Sequence, residues 1–442
     1  MNNFIKIEKI IKPFDKTIFI DGDKSLSIRW ALLASQALGR SKAYKLLKSE
    51  DVLNTLNCLK VLGVKVIIKD KYCEIFGKGL NSFKYKKNLT LDVGNSGTLG
   101  RLILGLLVHS KEKIKLIGDK SLSKRDFSRV VLPLKKFGAK FFSKNLNKLP
   151  LTIEGSNWPV PIKYIEDKGS AQCKSSVMLA ALNTNGETII KAKKSRNHTE
   201  LLFKHLKIPI KLKKKKNYDL IKVKGGKEFK SFNYTIPSDI SSSAFFIVLT
   251  ALSKKSKLLI RNINVNPSRV GIIKILSKMG VNISLRNKKN YKGEKIADIY
   301  VESSKNLKAI NCPANLNSSA IDEFLIIFLV AAKSRGVSYF KDVSELNQKE
   351  SPRLNWGSRI LNMMGVKTKL TKDSIKIYGK PDLKITQPIT IKNYLKDHRV
   401  FMMSTIAALT CGGQWKIYDK DSINTSFPSF LKIVKKISGK SL

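Results

Sequence analysis

The sequence predicts an α/β chain of two domains, each assembled from three similar blocks. Three observations carry this. Its 442 residues, 42% of them hydrophobic, suffice for two cores. An apolar helix closed by Gly and followed by an alternating strand pair recurs along the chain, and a truncated copy ends it. Each block also carries a second helix that is apolar nearly all round, the mark of a buried helix.

The first phrase reads "LKVLGVKVIIKDKYCEIFG" around Gly63. It returns around Gly138, Ile208, Gly280 and Gly365, and "FLKIVKKISG" is the truncated sixth. A Gly after each helix suits a left-handed C-cap, and the period-two residues beyond it suit half-buried strands. The repeat of roughly 70–85 residues exceeds that of a solenoid, so each copy is a supersecondary block. The buried helices are "WALLASQALG", "GRLILGLLVHS", "KSSVMLAALNTNG", "SAFFIVLTALS", "DEFLIIFLVAAKSRG" and "RVFMMSTIAALTCGG". Their entrances collect polar groups: "DKSLSIR", "GNSGTLGR", "GSAQCK", "PSDISS", "NSSAIDE" and "LKDHR". Unpaired N–H groups and the positive end of the helix dipole favour anions there, so these entrances suit phosphate or carboxylate, although Ser and Asp at such places are also ordinary caps.

The formal charge of +51 invites a nucleic-acid reading, but runs such as "KLKKKKNY" read as strand-to-strand turns without interleaved aromatics to stack bases. Most of the Lys reads as solvated surface. Only 13 of the 84 basic residues are Arg. If Lys replaces Arg wherever a point charge suffices, the Arg that remain mark places needing a planar fork. Arg29, Arg101, Arg125, Arg196, Arg353 and Arg399 fall in or beside the polar entrances. The five cysteines lie far apart with no CxxC pair, which argues against structural zinc and a secreted disulfide framework. No signal peptide, membrane-length apolar run, Rossmann pattern or P-loop is present, so a cytoplasmic chain without nucleotide, metal or other cofactor is expected.

From Lys24 to Pro428 the motifs resemble the 5-enolpyruvylshikimate-3-phosphate (EPSP) synthase family, closest to its class II branch. "GDKSLSIR", "GNSGTLGRL", "GDKSLSKR", "GSAQCKSSVMLAAL", "SRNHTE", "PSDISSSAFF", "DEF", "QKESPRL", "DHR" and "TSFPSF" carry the likeness. It implies the two-domain enolpyruvyl transferase fold, an inside-out α/β barrel of three β-α-β-α-β-β repeats per domain, with residues 1–21 and 239–442 as one domain and 22–238 as the other. It implies ligands held where helix N-termini of both halves converge. The reaction is addition and elimination between phosphoenolpyruvate and the 5-hydroxyl of shikimate 3-phosphate, carried out by a monomer that uses neither nucleic acid nor membrane.

The likeness also implies roles. Asp322 is the base for the hydroxyl proton, Glu350 the partner for proton movement at the methylene carbon, and Lys24 a cation touching both substrates. Lys24, Ser25, Arg29, Ser170, Gln172, Arg196, Asp322 and Lys349 would hold shikimate 3-phosphate. Lys24, Asn95, Gly97, Arg125, Gln172, Lys349, Arg353 and Arg399 would surround phosphoenolpyruvate. His198 and His398 read as hydrogen-bonded positioning residues. Four positions depart from the family pattern: Ile28, Asp126 for a common Pro, Pro352 for a usual Asp, and Thr425 for a Lys that contacts phosphoenolpyruvate. Rival readings are a UDP-N-acetylglucosamine enolpyruvyl transferase, which typically reads Lys-Asn at Lys24-Ser25, and an RNA-processing enzyme of the related phosphate-cyclase fold, which leaves "KES" and "DHR" unexplained.

Overall fold

A computed structural model describes residues 3–144 and 147–439. The chain forms two compact units: Met1–Asp21 with Pro237–Asn290 and Lys295–Leu442, and Gly22–Ile236 with Tyr291–Glu294.

The second unit is built around three helices, Lys24–Ser35, Gly97–Leu106 and Ala171–Leu182, each buried along most of its length. The last two approach closely because Gly105 has no side chain: a Cβ there would lie 2.2 Å from the carbonyl oxygen of Ser176. Three four-stranded sheets cover these helices with one shared topology. In the sheet of the third block, Lys163–Glu166 runs parallel to Gly186–Lys193, which pairs antiparallel with Tyr218–Gly225, which pairs antiparallel with Ile210–Lys214. Alternation does the sorting. Thr188, Ile190 and Ala192 point into the core while Lys191 and Lys193 face outward. The run "KLKKKKNY" splits between the strand Ile210–Lys214 and the turn after it, and its lysines are exposed.

The first unit repeats the design around Ile240–Leu252, Phe324–Ala332 and His398–Cys411. Every residue of Phe324–Ala332 is buried, which explains why it carries no polar stripe. Its last sheet has three strands. Phe4–Ile7 pairs antiparallel with Trp415–Tyr418, which runs parallel to Ile389–Ile391. Phe4–Ile7 thus takes the place beside Trp415–Tyr418 that Leu151–Glu154 takes beside Ile114–Ile117 in the second block.

The expected left-handed turns are present after the second helix of each block. Gly63, Gly138, Gly280, Gly365 and Gly439 all have positive φ. In the third block Lys207 takes that conformation at φ 56° without a Gly. Residues 145–146 lie outside the described residues. All five cysteines are buried and unpaired, and burial pushes the thiols of Cys58 and Cys73 up to about 12. Among the described residues no helix is long and apolar enough to cross a membrane.

Candidate functional site

The helix entrances are largely filled by the chain's own caps. Asp23 accepts from the Leu26 amide, Ser96 from Leu99, Ser170 from Cys173, Asp239 from Ser241 and Asp397 from Arg399. Three of these caps are carboxylates at or below 6% exposure, so at those helix ends the dipole is already answered by an internal charge. Each cap satisfies a single amide of its helix end, so ordinary capping and an anion-binding entrance are compatible here. The cations beside them remain, gathered into local groups in the second unit and into one network in the first.

In the second unit, Lys24 Nζ lies 2.8 Å from Asp51 Oδ2. Arg29 is 5% exposed, and its three nitrogens donate to Thr199 Oγ1 at 2.9 Å, the Ser25 carbonyl at 3.1 Å and Ser175 Oγ at 3.1 Å. Arg29 therefore braces the first and third central helices against the segment that carries Arg196. Arg196, half-buried, sits two residues before His198.

Gly97 opens the second central helix beside two guanidinium groups: a Cβ there would lie 2.9 Å from Arg101 Nη1 and 3.1 Å from Arg125 Nη1. Arg101 also donates to Gln172 Oε1 at 3.1 Å, and Gln172 Nε2 donates to Thr98 Oγ1 at 3.0 Å. Asn95 donates to the carboxylate of Asp119, which joins "GNSGTLGR" to "GDKSLSKR". Asn95, Gly97, Arg125 and Gln172 thus come together from three separate stretches. Arg101 belongs with them although no role was assigned to it, and its position beside Gly97 in the motif was the available signal. Ser195 Oγ, next to Arg196, is buried with no hydrogen-bond partner among the described residues, and was likewise missed.

In the first unit, Asp322 Oδ1 lies 3.3 Å from Lys349 Nζ and 3.6 Å from Arg353 Nη1. Arg399 Nη1 donates to the Asp322 carbonyl at 2.6 Å. Arg353 bonds the carboxylate of Glu350 and, through Nε, Asp397 Oδ2 at 2.8 Å. Asp397 also accepts from the Ser351 amide and hydroxyl at 3.2 and 2.9 Å. Asp322, Lys349, Glu350, Arg353 and Arg399 therefore form a single network whose centre, Asp397, was read only as part of "DHR". Asp322 does not cap the helix it precedes: that helix begins at Phe324, and the Glu323 carbonyl accepts its first amides. Burial raises the Asp397 carboxyl, but the adjacent Arg353 outweighs it and leaves the group below the usual aspartate range. Among the described residues no group of three or more His, Cys, Asp or Glu could hold a metal ion.

The family model described as EPSP synthase (3-phosphoshikimate 1-carboxyvinyltransferase) matches residues 8–434. The chain belongs to the EPSP synthase family. The 3-phosphoshikimate 1-carboxyvinyltransferase of Ruthia magnifica subsp. Calyptogena magnifica is 40% identical over 433 residues, covering 97% of each chain. A solved EPSP synthase from Acinetobacter baumannii superposes with TM-score 0.85 at 33% identity, covering 99% of this chain and 98% of that one. The enolpyruvyl transferase NikO from Streptomyces tendae shares the fold, with TM-score 0.76 at 12% identity over 99% of this chain and 97% of its own.

Against the EPSP synthase pattern, the departures now have local accounts. Ile28 is fully buried on the first central helix. The Asp126 carboxylate accepts from the Ser128 amide at 2.8 Å and so starts the helix Ser128–Lys136. Pro352 stands at the N-cap of Arg353–Met363 with φ −69°, where no intrahelical bond needs its missing N–H, while its carbonyl accepts from Trp356. Thr425 Oγ1 lies 3.3 Å from His398 Nδ1 and donates to the Ser422 carbonyl at 2.9 Å.

Proposed function

We propose that this chain transfers the enolpyruvyl group of phosphoenolpyruvate to the 5-hydroxyl of shikimate 3-phosphate, releasing phosphate. The observation that carries the reading is the gathering of Asp322, Lys349, Glu350, Arg353 and Arg399 into one network, within a chain whose family match runs from residue 8 to 434. Its substrates together carry phosphates and carboxylates, and such charge calls for fixed cations of planar and point type.

On this reading Lys24, Ser25, Arg29, Ser170, Gln172 and Arg196 serve shikimate 3-phosphate. Asn95, Gly97 and Arg125 serve phosphoenolpyruvate, as do Lys349, Arg353 and Arg399, with Lys24, Gln172 and Lys349 common to both substrates. Asp322, between Lys349 and Arg353, takes the proton of the attacking hydroxyl as its oxygen bonds C2 of phosphoenolpyruvate, and C3 gains a proton. The tetrahedral adduct then loses that C3 proton and phosphate, restoring the double bond. Glu350, fixed by Arg353, serves the proton movement at C3. We read the enzyme as a cytoplasmic monomer without cofactor, with 1–21 plus 239–442 and 22–238 as its domains. The five free buried thiols support a reducing compartment.

The test is phosphate release on mixing the protein with both substrates, each also omitted in turn, with and without a chelator. Release that needs both substrates and survives the chelator is expected. Release indifferent to shikimate 3-phosphate would overturn the reading.

A further inference from the structure

The helix His198–His205 starts two residues after Arg196, and its N-cap Asn197 makes no side-chain cap bond. Its first three side chains, His198, Thr199 and Glu200, are all buried, and three different elements hold them. Thr199 is bonded by Arg29 from the first central helix, and Glu200 pairs with Lys174 of the third at 2.7 Å. His198 Nδ1 lies 2.6 Å from Glu294 Oε1, with the two side chains 1% and 0% exposed.

Glu294 reaches His198 from the hairpin tip Tyr291–Glu294, which packs as part of the second unit. The tip has anchors of its own. Tyr291 Oη accepts from the Thr235 amide at 2.7 Å, and its ring meets Tyr234 edge-on at 5.4 Å. A carboxylate buried this deeply is costly without a partner, and so is the imidazole facing it. Because a carboxylate only accepts, the bond fixes the proton on Nδ1 and with it the ring's orientation. The helix start is then held at its first residue, two positions from Arg196.

We propose that Glu294 is a positioning residue for shikimate 3-phosphate, acting through His198 to set the segment that carries Arg196. The proposal rests on the reading that Arg196 binds that substrate. It does not require Glu294 to touch a ligand.

The experiment is steady-state kinetics on the full chain with each substrate varied, for wild type, Glu294→Gln and Glu294→Ala, alongside thermal unfolding and calorimetric titration with shikimate 3-phosphate. Glu294→Ala should raise the KM for shikimate 3-phosphate tenfold or more and leave that for phosphoenolpyruvate within twofold. Glu294→Gln, which keeps an acceptor oxygen but not the charge, should raise it at least threefold and less than Ala. A variant that loses only melting temperature or kcat, with both KM values unchanged, would make the pair merely structural and overturn the proposal. So would an equal rise in both KM values. If Glu294→Ala does not fold, an unchanged shikimate 3-phosphate affinity in Glu294→Gln overturns it. Wild-type protein that shows no phosphate release would instead defeat the functional reading, which separates the two failures.

Discussion

Arg353 and Asp397 meet in a two-point contact inside the first unit, Nε to Oδ2 at 2.8 Å and Nη2 to Oδ1 at 3.1 Å. The guanidinium is 2% exposed and the carboxylate fully buried, so each is the other's main compensation for lost water. Removing the carboxylate leaves the buried cation only Glu350 and the more distant Asp322. Asp397→Ala is expected to cost about 3–5 kcal/mol and to lower the melting temperature by several degrees. A change below about 1 kcal/mol in denaturant unfolding would show that the pair is not held this way.

The same pair has a pH signature. Arg353 leaves the Asp397 carboxyl lower in the folded chain than its ordinary value. Its contribution to stability is therefore complete above the unfolded aspartate value, near pH 4, and is lost as pH falls through the lower folded value. Wild type should lose stability in that acid window more steeply than Asp397→Asn. Parallel unfolding free energies for the two proteins from neutral to acid pH would contradict this.

The buried pair Lys174–Glu200, with side chains 0% and 1% exposed, offers a cleaner case of ion-pair burial. Lys174→Met alone should destabilise by about 3–5 kcal/mol, because it leaves Glu200 charged or forces it to take a proton. The double change Lys174→Met with Glu200→Leu should recover most of that loss. Denaturant unfolding of the three variants tests it, and strictly additive losses would be the contrary result.

Forked cations should not tolerate Lys. Arg125→Lys and Arg399→Lys are expected to lower kcat/KM tenfold or more, about 1.4 kcal/mol or above. Arg286, which stacks 3.6 Å over the Tyr300 ring on the surface, serves as the control, and Arg286→Lys should leave kcat/KM within twofold. Equal losses in all three would remove the argument from Arg scarcity.

Gly97→Ala puts a methyl against the ends of Arg101 and Arg125, 2.9 and 3.1 Å away, both flexible enough to give. Glyphosate, which in this family competes with phosphoenolpyruvate, is the longer ligand and should meet that methyl first. The glyphosate inhibition constant should rise more than the KM for phosphoenolpyruvate, which itself rises because Arg125 must shift. An unchanged ratio of the two constants would show that Gly97 lies outside the inhibitor's pocket.

What the sequence made legible was what periodicity and local chemistry encode. The six buried helices were visible because nothing polar interrupts Phe324–Ala332 and nothing charged interrupts Ile240–Leu252. The C-cap glycines were visible for steric reasons, and Lys207 shows that the position outlasts the residue. Strand partners were not visible, since Phe4 opposite Tyr418 and Asn233 opposite Lys42 depend on pairings distant in sequence with no local signal. In the site, rare Arg marked Arg125, Arg353 and Arg399. The same scarcity should have marked Arg269, which is 1% exposed and bonds Ser241 at 2.7 Å, but it lies outside the polar entrances. Asp397 was read only as part of "DHR" because its bond to Arg353 spans distant sequence.

The strand Phe4–Ile7 has a consequence for how the chain is made. Its partner Trp415–Tyr418 is synthesised far later, after every strand of the second unit's sheets, so Phe4–Ile7 must wait unpaired until that segment emerges. Every strand of the second unit's three sheets, by contrast, has emerged by Thr235, and its hairpin tip by Glu294. The order of closure in the cell is therefore set against the order of the chain. A ribosome-held fragment ending before Ile389 is expected to present a protease-resistant second unit and an N-terminal segment still open to cleavage.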